Sequence, residues 1–142
     1  MGKDITLKSK DGFEFGAYVA EPQGKARGAI VVIQEIFGVN HHIRSVTDRY
    51  AQLGYLAIAP ALFDRGEKNF QSGYDGAAMD KARGMTQKIS LDDRLADTRA
   101  AIDHVKSAGK VAVLGYCMGG SIAFISATRL NGVSAGVGYY GG

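Results

Sequence analysis

The sequence has no tryptophan, two prolines and one cysteine in 142 residues. One cysteine rules out an internal disulfide and a cysteine-built metal cluster, and it suits a reducing compartment, so a cytoplasmic location is expected. No apolar run approaches the roughly 20 residues that cross a bilayer, and the start MGKDITLKSK has no apolar signal core. No membrane partner is expected. Seventeen Lys and Arg face fourteen Asp and Glu, a formal charge of +3, without a basic block or interleaved aromatics. That excludes an obvious nucleic-acid partner. A further absence bears on chemistry: after Cys117 the chain has no histidine, aspartate or glutamate, and His41, His42 and His104 all precede it.

What is present is organised around Lys110 to Ile125, KVAVLGYCMGGSIAFI. Lys110 to Leu114 is short, β-branched and bounded by glycines, the pattern of a strand buried on both faces. From Met118 onward Ile122, Ile125 and Arg129 fall at helical spacing. The chain therefore passes from strand to helix through Gly115-Tyr116-Cys117-Met118-Gly119, a G-x-C-x-G sequence. Such a turn pushes a nucleophile out of the strand, and side chains two residues to either side would collide with strand and helix. A thiol at a helix N-terminus also gains thiolate character from the free N–H groups and the helix dipole. The alternative is a buried cysteine in a glycine-rich turn.

In chain order, Ile5 to Ser9 and Phe13 to Val19 alternate around Asp11-Gly12, which predicts a two-residue hairpin. Ala29 to Ile33 is a buried strand, and its exit reads QEIFGVN. Asn40 caps a helix with Ile43, Val46, Tyr50 and Leu53 as its apolar stripe, ended by Gly54. Tyr55 to Ala59 is a strand closed by Pro60. Asp64 to Lys88 is a polar, glycine-containing excursion over the carboxyl end of the sheet, with a weak helix near Ala77 to Lys88. Ser90 caps a helix whose inner face is Leu91, Leu95, Thr98, Ile102 and Val105. A last apolar strand covers Val133 to Tyr140. Strands alternating with helices indicate an α/β fold: an N-terminal hairpin, then a mostly parallel sheet with helices on both faces, in one domain spanning 1–142. Sites in such sheets lie at the carboxyl ends of the strands, where Glu35 and Cys117 both fall.

Acyl transfer by a thiolate needs a nucleophile, oxyanion donors and a base. The elbow offers Cys117 and the Met118 N–H, and the loop after the third strand offers the Ile36 N–H. Glu35 ends a buried strand, where a carboxylate is costly without a partner; it is either part of the site or half of an ion pair. The base is missing. His41 and His42 are adjacent and so point apart on a helix, without the spacing of a metal pair. His104 is expected to be a partly exposed helical residue. Gly136, Gly138 and Gly141 match G-x-G-x-x-G spacing, but no helix or acidic residue follows, which excludes a dinucleotide site.

GYCMGG before a helix, QEIFGVN upstream and VGYYG downstream together resemble the dienelactone hydrolase family, over about Ile5 to Gly142. The resemblance implies a cysteine α/β-hydrolase acting on a small lactone or ester, with Cys117 as nucleophile and Glu35 in contact with it and aiding its activation. It implies no cofactor and no metal. The family's substrate-carboxylate arginine would lie in the excursion, where Lys81 and Arg83 are the nearby candidates. The family's Asp and His follow the nucleophile on later strands; by that measure the chain resembles an N-terminal portion, an incomplete α/β-hydrolase domain expected to be inactive alone. The last strand then becomes an exposed edge, and self-association through it is expected. Two alternatives stay open: a cysteine amidotransferase-like enzyme, and a non-catalytic, self-associating scaffold.

Overall fold

The computed structural model describes residues 2–142. Six strands form one sheet in the order β1-β2-β4-β3-β5-β6. These are β1 Lys3–Lys8, β2 Glu14–Ala20, β3 Ala29–Ile33, β4 Leu56–Pro60, β5 Val111–Tyr116 and β6 Val133–Tyr139. The first three in spatial order pair antiparallel, and β4, β3, β5 and β6 run parallel. The expected α/β architecture is thus observed, with β5 central among the parallel strands and β6 on the edge.

Alternation along β3 explains why helices cover both faces. Val31 and Ile33 join a cluster with Ala101, Ile102 and Val105 of α3 (Leu91–Val105) and Ile122 and Ala123 of α4 (Met118–Arg129). Ile30 and Val32 point the other way, toward Ile43 and Val46 of a helix at His41–Gln52, α1. A strand sandwiched in this manner must be apolar at every position, and all five residues of β3 are buried. The remaining helix, α2 at Gly76–Lys88, follows the excursion.

Local chemistry sets the boundaries. The Asn40 side chain accepts a hydrogen bond from the Ile43 N–H, 3.3 Å, and Ser90 Oγ accepts one from the Asp93 N–H, 3.1 Å. Both are N-caps satisfying otherwise orphaned donors. Three boundaries differ from expectation. The Ser9 N–H donates to the Phe13 carbonyl, 2.9 Å, so the hairpin turn is Lys10 to Gly12 rather than two residues, with Gly12 at φ 88°. That matches the three-residue loop closed by a left-handed glycine. Leu53 falls on the predicted stripe of α1 but caps its carboxyl end and is 54% exposed; Thr47 and Ala51 complete the buried face. Finally β5 runs on through Gly115 and Tyr116, because β3 and β6 pair with it on both sides.

Candidate active site

The parallel register brings three side chains to one level. Ile33 of β3 and Gly138 of β6 both pair with Gly115 of β5. Two residues beyond those partners stand Glu35, Tyr140 and Cys117, so the nucleophile candidate emerges between a carboxylate on one flank and a phenol on the other. Cys117 has φ 56° and ψ −124° and opens α4 without a side-chain cap bond. A non-glycine residue at positive φ is strained, and such strain clusters at working sites.

The glycines permit that turn. A Cβ on Gly115 would stand 2.0 Å from the Gly119 carbonyl oxygen, and one on Gly119 would stand 2.4 Å from that of Ile33. Backbone therefore packs on backbone where α4 meets β3 and β5. The same close approach explains two glycines of the last strand: a Cβ on Gly136 would meet Ala127 Cβ, and one on Gly138 the Gly120 carbonyl, each at 2.7 Å.

Above this floor, the Tyr140 hydroxyl donates to Glu35 Oε2 at 2.9 Å. Glu35 is 9% exposed. Tyr140 has φ 38°, which turns its ring back over the end of β5. Tyr140 is 66% exposed as a whole, but partial desolvation of its hydroxyl, and then the bond to Glu35, push the phenol up to about 12, so it remains a donor at ordinary pH. Its ring lies 6.1 Å from that of Tyr116, which stacks on Tyr139 at 5.0 Å and meets His42 edge-on at 6.0 Å. Burial raises the Tyr116 phenol as well.

Gln34 fixes the loop that carries Glu35. Its side chain is fully buried, donating to the Glu35 carbonyl and accepting from the Leu62 N–H, each at 3.0 Å. The excursion is strapped over the same loop: the Ser72 N–H donates to the Phe37 carbonyl, 3.0 Å, and Phe37 packs edge-on against Tyr74 at 4.5 Å. Its passage over the carboxyl edge is as the sequence implied. Ile36 and Met118 pack on one cluster, with Phe37, Phe63, Phe70 and Met85 at its core. Among the described residues neither the Ile36 nor the Met118 N–H donates a backbone hydrogen bond.

Cys117 and Tyr140 line a groove of about 500 Å3 with Thr86, Arg94, Met118 and Ser121 among its walls. Arg94 donates through Nη2 to the Thr86 carbonyl, and to that of Ile89 at 2.7 Å. Burial pulls its guanidinium below the usual arginine range. Neither Lys81 nor Arg83 lines this groove. Lys81 pairs with Glu67 at 3.2 Å and Arg83 with Asp80 at 3.8 Å, both on the exposed side of α2. Helical phase puts them off the face that Ala82 and Met85 bury, with Lys81 Nζ over the rim of that cluster, 5.6 Å from the Phe70 ring. His41 and His42 instead border a separate groove with Asn40 and Gln71 to Tyr74, and His104 is exposed on α3.

Sequence reasoning missed Gln34, Tyr140 and Arg94. A polar residue ending an all-apolar strand was a signal for Gln34. The Tyr-Tyr pair ending the last strand was one for Tyr140. Arg94, inside a helix with charged neighbours, carried none.

The chain is 35% identical to the carboxymethylenebutenolidase of Pseudomonas putida over 146 residues, covering 99% of this chain and 61% of that one. It is 30% identical to carboxymethylenebutenolidase 1 of Cupriavidus pinatubonensis, covering 99% and 62%. A crystal structure from Klebsiella pneumoniae, provisionally identified as a dienelactone hydrolase, superposes with a TM-score of 0.78 at 33% identity, over 98% of this chain and 60% of that one. The chain thus spans about three fifths of the length of the relatives it matches. The model of the dienelactone hydrolase family matches residues 15–142, which takes in the Glu35 loop, the Cys117 elbow and Tyr140 alike, and the chain belongs to that family.

Proposed function

We propose that the chain carries the acylating half of a hydrolase that acts on a small ester or lactone through Cys117. The observation that carries this reading is the strained elbow: Cys117 at φ 56° at the head of α4, with the unbonded N–H groups of Met118 and Ile36 near by. In the reaction, the Cys117 sulfur as thiolate adds to the carbonyl carbon. The Met118 and Ile36 N–H groups hold the oxyanion. Collapse breaks the acyl C–O bond, the alkoxide leaves and takes up a proton, and a thioester remains on Sγ. Water then releases the acid. Glu35, at the same sheet edge, is proposed to take part in activating the thiol. The second step needs a base for water, and none of the histidines lines the Cys117 groove, so the chain by itself is expected to acylate faster than it turns over. Lys81 and Arg83 are proposed for substrate binding only if α2 moves, since both face away from the groove. No cofactor or metal enters this chemistry.

The test is a time course of hydrolysis of an activated aryl ester and a small unsaturated lactone, with Cys117→Ala as control. A cysteine-dependent burst supports the reading. Release no faster than the control contradicts it.

A second reading, self-association of two copies through the outer edge of β6, is favoured by its exposure: Val137 is 42% and Tyr139 44% exposed on a strand with one neighbour in the sheet. An open apolar edge invites strand pairing. Sedimentation should reveal a concentration-dependent dimer, and a clean monomer at high concentration contradicts it.

A further inference from the structure

We propose that Gln34 is a positioning residue for the oxyanion hole: its buried side-chain amide holds the Glu35 carbonyl toward Leu62 and so keeps the Ile36 N–H turned to the Cys117 side of the sheet edge. This inference rests on the reading of Cys117 as nucleophile and of Ile36 as an oxyanion donor, and it names what orients that donor.

The partners of Gln34 fix the polarity of this strut. The residue is fully buried. The Leu62 N–H can only donate, so it takes the amide oxygen, at 3.0 Å. That leaves the Nε2 group for the Glu35 carbonyl, which can only accept, also at 3.0 Å. Turning the amide over would set N–H against N–H and oxygen against oxygen, two buried mismatches. Gln34 therefore takes an N–H on one side and offers one on the other, in a single orientation.

Peptide geometry carries the constraint to the next residue. The Glu35–Ile36 peptide is trans, so its C=O and N–H point in opposite directions. The strand order around β3 is β4-β3-β5. Leu62 follows β4 on one flank and Cys117 follows β5 on the other. A carbonyl drawn to the Leu62 flank puts the Ile36 N–H toward the Cys117 flank, where Met118 heads α4. The chain is pinned on either side of this peptide but not at it. Before it, the Ile33 and Gln34 carbonyls lie against Gly119, where a Cβ would stand 2.4 and 2.5 Å from them. After it, the Phe37 carbonyl accepts from the Ser72 N–H at 3.0 Å. Among the described residues, the Gln34 amide makes the one hydrogen bond to the Glu35–Ile36 peptide.

Oxyanion donors speed acyl transfer because they are aimed before the charge develops. With an apolar side chain at position 34, the buried side offers that peptide neither donor nor acceptor, and the preference for the outward N–H is lost. A donor that must be reoriented during the reaction stabilises less.

The experiment compares two reactions of one sulfur in the wild-type chain and in Gln34→Met, which keeps the length of the side chain and removes both polar groups. Single-turnover acylation by an activated aryl ester adds the thiolate to a carbonyl and needs the oxyanion donors. Alkylation by iodoacetamide forms the S–C bond as iodide leaves a saturated carbon, and needs none. Both are followed by intact mass. We expect acylation to fall about fivefold, less than the roughly 100- to 1000-fold cost of losing a donor outright, with alkylation unchanged. A merely structural role would lower the melting temperature and move both reactions together or neither. Crystal structures of the two chains supply a readout that needs no ester: one orientation of the Glu35–Ile36 peptide in wild type, a turned or divided one in Gln34→Met.

The proposal is overturned if acylation is unchanged, if both reactions fall by the same factor, or if that peptide keeps its single orientation in the variant. Should Gln34→Met fail to fold in thermal melting, Gln34→Asn, whose amide is one methylene short of both partners, must give the same split between the two reactions or the proposal fails. A wild-type chain that is alkylated but never acylated counts against the hydrolase reading alone, and the peptide orientation then decides the role of Gln34.

Discussion

Two buried carboxylates in this molecule are treated in opposite ways. Asp97, inside α3, is fully buried and meets the Arg65 guanidinium twice, through Nη2 and Nε, each at 2.9 Å. Arg65 also reaches Asp11 at 2.9 Å and stacks over Phe13. Burial raises the Asp97 carboxyl while Arg65 lowers it. Glu35, at the carboxyl edge of the sheet, is nearly as buried but is given a neutral phenol. The first arrangement cancels a charge and ties the hairpin turn, the loop after β4 and α3 together. The second leaves most of a charge in place at the sheet edge where Cys117 also stands. The proposed role of Glu35 in activating Cys117 asks for a carboxylate that is not committed to a cation, whereas Asp97 is committed to Arg65.

The sharpest way to break the comparison is to remove the cation. Arg65→Ala leaves Asp97 buried and unpaired and should cost about 3–5 kcal/mol in urea unfolding, the usual penalty for stranding one partner of a buried pair. Glu35→Gln should cost far less, because no buried cation is stranded. Equal losses would erase the distinction drawn between the two carboxylates.

Next in size is the floor under Cys117. A methyl on Gly119 meets the Ile33 and Gln34 carbonyl oxygens at 2.4 and 2.5 Å, neither of which is the tip of a flexible side chain. Gly119→Ala should destabilise the chain by about 1–3 kcal/mol, as overpacking does, and should also slow Cys117 alkylation by shifting the elbow. Normal stability would mean that the elbow has slack.

The architecture was legible in the sequence because its signals were local. Ala29 to Ile33 is apolar at each position, Asn40 and Ser90 cap their helices, and Gly115 and Gly119 bracket Cys117. Cys117 and Glu35 could be set at one sheet edge from strand ends alone. Tyr140 could not be set against Glu35, since that bond joins residues 105 apart in sequence and depends on the spatial order of β3, β5 and β6. Arg65 and Asp97 were hidden for the same reason, being 32 apart. Lys81 and Arg83 stand off the Cys117 groove because composition locates charges within a segment, whereas the phase of α2 decides which side they face.

A smaller effect concerns the cap of α1, which carries the loop from Glu35 to Asn40. Asn40→Ala should lower stability by about 1 kcal/mol in thermal or urea unfolding. No change would show that the strap from Ser72 and Tyr74 holds that loop unaided.

The smallest effect is a matter of pH. The Tyr140 phenol is pushed up to about 12, above the ordinary tyrosine value of 10. With its pKa raised on folding, the stability it contributes is fully present below pH 10 and is lost as pH rises from 10 through about 12. Ultraviolet titration of phenolate should therefore contain a late component that disappears in Tyr140→Phe. A titration that the substitution leaves unaltered above pH 11 would mean that Glu35 and Tyr140 are not bonded in solution.

The central claim is that Cys117 is the nucleophile of this site. The direct measurement is the intact mass of the chain, quenched in acid shortly after mixing with an activated ester, followed by peptide mapping. One acyl group per chain, located on Cys117 and absent from Cys117→Ala, is the predicted result. An unmodified chain, or acylation spread over lysines and unchanged in Cys117→Ala, would contradict it.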